Sequence, residues 1–184
     1  MPNPLSERRA PSIQSTAGVQ LLPFMQRRLL RGGAAVMAIA YEVLGFSAPT
    51  QACRASRSGE CAALWLGPDE RLLLTGSDEG AAMSARLEQA LAPYPYALVD
   101  VSHRQVSLQV CGAHCEILLA AGCALDLDAA YFPVDMCTRT LLAKAEIVLW
   151  RTAPQCFQIE VWRSFAAYVA GFLNVAAREF DAGG

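Results

Sequence analysis

The chain has 184 residues, 54% of them hydrophobic, with 15 basic and 17 acidic side chains and a formal net charge of -2. That size and apolar content suffice for one good core, or for two half-units sharing one, and exclude disorder for the bulk of the chain. The near-neutral balance supplies no field to gather nucleic acid or an acidic membrane surface, and no run approaches the ~18 apolar residues that span a bilayer.

Residues 1–18 mix Pro2, Pro4 and Pro11 with Ser and Arg without periodicity and read as a flexible tail. Residues 1–40 carry Arg8, Arg9, Arg27, Arg28 and Arg31 against Glu7, a local net of +4 that leaves -6 for the remainder. Such a basic arm either docks on an acidic partner or is a solvated terminus. The pair Arg27-Arg28, the apolar run 34–41 and Thr50-Gln51-Ala52-Cys53 have the outline of an export signal. Glu42 interrupts it and the apolar run is short, so a cytoplasmic protein is expected.

A single α+β domain is expected over 19–184, with two half-units at about 19–111 and 112–184. Residues 20–30 read as a strand broken by Pro23, and 33–44 as a short helix ending at Gly45. Residues 47–59 read as a loop. Two β-prone runs, 61–66 and 71–74, flank Gly67-Pro68-Asp69-Glu70, where Pro beside Gly and Asp makes a tight turn. Ser77, Asp78 and Glu79 suit the cap and first turn of a helix that Pro93 and Pro95 stop near Ala92. Residues 96–102 and 105–111 read as the next β pair. In the second, Val106, Leu108 and Val110 alternate with Gln105, Ser107 and Gln109, the pattern of a strand with one wet face.

A helix over 113–121 closes at Gly122, a loop covers 125–133, and strands follow at 138–143, 146–150 and 157–162. Ser164 is placed to cap the last helix, in which Phe165, Tyr168, Phe172, Ala176 and Phe180 recur at helical steps. That stripe covers either its own sheet or part of another subunit. The overall order predicts an α+β fold of mostly antiparallel sheets with packed helices.

Residues able to do chemistry are few. Seven cysteines, at 53, 61, 111, 115, 123, 137 and 156, show no paired Cys-x-x-Cys spacing and are expected to be mostly reduced, buried thiols. Cys111, His114 and Cys115 with His103 supply zinc-type ligands, but three of them fall within five residues of one corner, which is too tight. Cys111 or Cys115 with His103 and Asp100 is a nucleophile grouping. The competing reading has Asp100 and Ser102 satisfying backbone at a strand end and Arg104 pairing with Asp100. Asp126 and Asp128 either bind a cation or cap local backbone. Arg163 is placed to clamp an internal carboxylate or a neighbouring subunit. Gly32-Gly33 is an isolated pair, and with no Gly-x-Gly-x-x-Gly or Gly-Lys-Ser/Thr the chain carries no dinucleotide or phosphate cradle.

The string Leu125-Asp126-Leu127, Phe132-Pro133, Thr138 to Lys144 and Val161 to Tyr168, preceded by Leu66 to Glu70 and Val99 to Arg104, resembles the γ subunit family of heterotetrameric sarcosine oxidase. The resemblance implies a fold like the folate-binding part of the glycine-cleavage aminomethyltransferase. It also implies α, β and δ partner subunits, which hold FAD, FMN and NAD, with tetrahydrofolate as co-substrate of the complex. Sarcosine would be demethylated to glycine with release of hydrogen peroxide. No catalytic, cofactor or metal residue carries over to this chain. The matched Gly67, Pro68, Asp69, Asp100, Ser102, Arg163 and Ser164 are implied to be structural. A free-standing folate-binding or one-carbon transfer protein of the same fold is the alternative.

Overall fold

A computed structural model of the chain describes residues 19–76 and 80–181. The expected tail 1–18 and the expected cap at Ser77, Asp78 and Glu79 lie outside those residues. In chain order come β1 (Val19–Leu21), β2 (Gln26–Gly32), α1 (Ala34–Leu44), β3 (Ala55–Ser58), β4 (Cys61–Gly67), β5 (Glu70–Thr75) and α2 (Gly80–Leu91). They are followed by β6 (Tyr96–Asp100), β7 (Gln105–Cys111), α3 (Cys115–Ala120), β8 (Cys137–Leu142), β9 (Ala145–Ala153), β10 (Cys156–Trp162), a 3-10 turn (Arg163–Phe165) and α4 (Ala166–Asp181).

The strands form two five-stranded sheets, one ordered β1-β7-β10-β9-β8 and the other β3-β4-β5-β2-β6. Every neighbouring pair is antiparallel. Local chemistry explains the punctuation. Pro23 cannot donate to a ladder, and the chain leaves the first sheet after β1 and enters the second at β2. Gly45 takes the left-handed conformation at φ 70°, and the Phe46 amide donates to the Tyr41 carbonyl at 2.9 Å, ending α1 as a glycine C-cap does. Gly67 and Glu70 pair directly across Pro68-Asp69. Within the expected loop 47–59 the structure instead holds β3, whose Ser58 faces Cys61 across a two-residue turn with Gly59 at φ 57°.

β6 and β7 are not a pair. β6 lies on β2 in the second sheet, whereas β7 sits between β1 and β10 in the first. The corner between them folds on itself: the Ser102 amide donates to the Asp100 carboxylate at 2.8 Å and the Arg104 amide to the Val101 carbonyl at 3.0 Å. That bonding turns the chain from one sheet to the other instead of reversing it within one.

Packing gives helix, sheet, sheet, helix. Leu108, Val110, Ile147, Leu149, Phe157 and Ile159 pack beneath α3 and α4. Leu30, Ala63 and Leu73 pack beneath α1 and α2. Leu64, Leu72, Leu74, Val148 and Trp150 fill the space between the sheets. The alternation in β7 is therefore real, but its polar side is not wet. Gln105 is 7% and Ser107 1% exposed, because they face the second sheet. α4 also differs from expectation, since its core face is Ala166, Val169, Ala170, Leu173 and Ala177. Phe165 and Tyr168 lie at its rim, each 41% exposed. Ser164 is not the cap of this segment; it lies inside the 3-10 turn, whose N-cap is Trp162.

Phe172, partly buried, closes over Gly122, where an added Cβ would meet the ring at 2.7 Å and the Ala143 amide nitrogen at 3.1 Å. Backbone cannot yield there as a flexible side chain would. Gly122→Ala is therefore expected to cost about 1–3 kcal/mol of stability through overpacking, measured by chemical denaturation.

Candidate functional site

The most concentrated polar chemistry lies in the seam between the sheets. Arg27 on β2 reaches across to Glu160 on β10, Nε to Oε2 at 2.6 Å, with both side chains 1% exposed. The guanidinium also donates to the Met25 carbonyl at 2.7 Å and to the Ser107 hydroxyl at 2.5 Å. Ser107 in turn donates to Glu160 Oε1, which also accepts from the Gln158 amide at 2.8 Å. β7 and β10 place Ser107 opposite Glu160 and Gln109 opposite Gln158, so the register of the ladder assembles this set. An unpaired buried charge is strongly disfavoured, and here each charge is matched by its partner and by further hydrogen bonds.

Two of the expected residues join this hub. Ser102 accepts from the Arg27 amide at 2.9 Å and from Arg28 at 3.1 Å. Asp100 pairs with Arg28 at 2.9 Å, not with Arg104 as expected, and Arg104 lies instead over the Trp162 ring at 5.0 Å. Burial, the largest single influence, raises the Asp100 pKa, but the Ser102 hydroxyl and amide and the Arg28 cation outweigh it and hold the carboxyl below its ordinary value. The remaining expected residues sit elsewhere. Gly67, Pro68 and Asp69 form the β4–β5 turn, where the Asp69 carbonyl accepts from the Gly32 amide at 3.0 Å. Arg163 donates to the His103 carbonyl at 3.1 Å, so that contact is with backbone and not with a carboxylate. Ser164 is exposed.

The zinc and nucleophile groupings do not come together. His103 stacks on Phe24 at 5.6 Å, at the opposite end of β7 from Cys111. Cys115 is 3% exposed, and burial pushes its thiol up, which disfavours a nucleophilic thiolate. Five of the seven cysteines are unbridged, and the exceptions are Cys111 and Cys156, bonded to each other because β7 and β10 place the two directly opposite. Asp126 and Asp128 each accept a backbone amide two residues on, at 3.0 and 2.8 Å, and so form successive Asx turns.

Two arginines that sequence reasoning did not single out matter more. Arg151, 2% exposed, donates to the Leu127 and Phe132 carbonyls at 3.0 Å each, pairs with Glu116 and lies over Phe157 at 5.0 Å. It therefore ties the loop between α3 and β8 to the end of β9. The only local signal is a lone cation ending an apolar strand. Arg139 grips Glu70 through two 2.9 Å bonds across the seam. Two cavities flank Arg27 and Glu160. One, of about 480 Å³, is lined by Phe24, Arg57, Gln109, Trp150 and Gln158, and the other, of about 230 Å³, by Arg104, Gln105, Glu146 and Glu160.

A profile of the sarcosine oxidase, gamma subunit family matches residues 31–179. The chain belongs to that family. It is 35% identical over 150 residues to sarcosine oxidase subunit gamma of Corynebacterium sp. (strain P-1), covering 81% of this chain and 71% of that one. The same subunit of Arthrobacter sp. is 31% identical over 154 residues, 83% of this chain and 74% of its own. Among solved structures, a chain of heterotetrameric sarcosine oxidase from Corynebacterium sp. U-96, in complex with pyrrole 2-carboxylate, superposes with a TM-score of 0.84 at 28% identity, over 90% of this chain and 86% of that chain. The aminomethyltransferase T of the glycine cleavage system from Bartonella henselae shares the fold at a TM-score of 0.65 and 16% identity, over 85% of this chain and 45% of its own. As a γ subunit of sarcosine oxidase, the chain has partner subunits. Among the described residues no helix is long and apolar enough to cross a membrane.

The hydrogen bonds from Arg139 are the largest influence on Glu70 and, against burial, hold its carboxyl below the usual value. A carboxyl depressed in the folded state adds stability above its unfolded pKa of about 4.3, and that stability is lost as pH falls through the lower folded value. Glu70→Gln is expected to flatten the acid limb of the stability profile below about pH 5, read by denaturation at stepped pH.

Proposed function

We propose that this chain is a non-catalytic γ subunit of a cytoplasmic heterotetrameric sarcosine oxidase. The α, β and δ subunits are its partners. The complex demethylates sarcosine oxidatively to glycine, passes the one-carbon unit to tetrahydrofolate and forms hydrogen peroxide. FAD, FMN and NAD, held by the partner subunits, supply the redox chemistry. What supports a scaffold role is the seam itself: Arg27 and Glu160 direct their hydrogen bonds to each other and to Met25, Ser107 and Gln158, in a site closed to solvent.

The cavities do not fit a dinucleotide. The larger, about 480 Å³, has Arg57 among its lining residues, and that cation already pairs with Asp135 at 3.4 Å. The chain's own contribution is therefore geometric. It holds two sheets in one register between its helices and so gives the chain a fixed shape for assembly with the neighbouring subunits.

A tagged chain expressed in its native host is expected to co-elute with three further chains at one intact-complex mass, with flavin absorbance in the visible. A colourless chain that elutes alone with a stoichiometric pteridine band would contradict this and favour the free-standing folate-binding protein.

A further inference from the structure

β7 and β10 pair Gln109 with Gln158, Val110 with Phe157 and Cys111 with Cys156. Side chains alternate along a strand, so Cys111 shares the inter-sheet face with Gln109, and Cys156 shares it with Gln158. The cysteine pair thus ends the row that carries the buried polar hub. It lies two residues beyond the glutamines that line the larger cavity. Both cysteines are half-buried, with Cα atoms 4.2 Å apart, and are bonded to each other. The ladder finishes immediately afterwards, where Gly112 takes φ 124° and its amide donates to the Gln155 carbonyl at 3.0 Å.

The remaining cysteines are differently placed. Cys115, Cys123 and Cys137 are buried, and Cys53 and Cys61 are partly so, all unbridged. The rungs inward of Cys111 and Cys156 are held by backbone hydrogen bonds that do not depend on the sulfur link. The two thiols therefore stay within reach of each other when reduced, and closure is effectively intramolecular.

We infer that Cys111 and Cys156 are a reversible dithiol–disulfide site, oxidised by a hydroperoxide and reopened by a dithiol, which clamps the end of the β7–β10 ladder two residues beyond the glutamines that line the larger cavity. With hydrogen peroxide, one thiolate attacks a peroxide oxygen. A sulfur–oxygen bond forms, the oxygen–oxygen bond breaks, and the departing hydroxide takes a proton to become water. The second thiolate then attacks the sulfenic sulfur, forming the disulfide and expelling hydroxide, which takes a proton to become a second water. Each sulfur gives up one electron and each peroxide oxygen gains one. A dithiol reverses the step by two successive exchanges through a mixed disulfide. The oxidant is added in the test below, so the site stands or falls independently of the reaction proposed for the complex.

The test uses the full chain in its native complex, and in parallel the purified full chain. Each is reduced with a phosphine, freed of reductant, treated or not with hydrogen peroxide, alkylated, and mapped by peptide mass. After peroxide, a peptide pair linking Cys111 and Cys156 is expected in place of two alkylated thiols, and a dithiol added to the folded protein restores both. The thermal midpoint of the chain is expected to rise by about 5–10 °C on closure. The Cys111→Ser/Cys156→Ser variant is expected to show no such response. Two outcomes overturn the inference. In one, both cysteines remain alkylatable after peroxide; in the other, the link persists in the folded protein under a dithiol. Mapping of the unmutated chain decides the matter even where the variant fails to fold.

Discussion

Arg27 and Glu160 meet in the seam between two sheets, each 1% exposed, and much of the architecture follows from the need to keep that pair satisfied. Removing two opposite charges from water costs several kcal/mol per ion, which only close geometry and additional hydrogen bonds offset. Glu160 receives Arg27, Ser107 and Gln158, and Arg27 reaches Met25 and Ser107 as well. These groups come from β2, β7 and β10 and, for the accepting Met25 carbonyl, from the bend before β2. They converge only when β7 and β10 hold one register and the two sheets lie in one mutual position. A slip of one residue would send Ser107 and Glu160 to the apolar face beneath α4.

The chain's crossings between sheets are arranged around the same point. It passes from the first sheet to the second just before Arg27, and returns at Asp100 to Arg104 beside Ser102, which bonds the Arg27 backbone. Glu70 with Arg139 adds a second charged tie across the seam, and Arg151 pins the long loop between α3 and β8. The charged groups in the interior thus hold segments together.

Short-range chemistry made a good part of this fold legible. Gly45 ends α1, Gly67-Pro68-Asp69-Glu70 turns β4 into β5, and the alternating or continuous apolar runs mark β7, β9 and β10. Longer-range arrangement was less accessible. Gln105, Ser107 and Gln109 have the pattern of a solvent face, and only the second sheet, which supplies Arg27, makes that face a buried one. The Asp100 to Arg104 corner has the composition of a hairpin turn, yet its bonding leads from sheet to sheet. In α4 the aromatic residues carry the strongest apolar signal, but Ala166, Ala170 and Ala177 allow the close approach to the sheet that Phe165 and Tyr168 would prevent. Cys111 and Cys156 lie 45 residues apart, and nothing short of the β7–β10 register brings them together. The family-matched Ser102 bonds the Arg27 backbone and Asp100 pairs with Arg28, whereas Glu160 falls outside every recognised motif.

On the proposed reading the buried Arg27–Glu160 pair holds the sheets together and takes no part in chemistry. The most direct measurement pairs two readouts on Glu160→Gln and on the matched replacement Arg27→Met/Glu160→Leu: stability of the subunit, and sarcosine turnover per assembled complex. Breaking the pair is expected to cost about 3–5 kcal/mol and replacing both partners much less, with turnover per assembled complex unchanged in each. Full stability with lost turnover would contradict it and place Glu160 in the reaction.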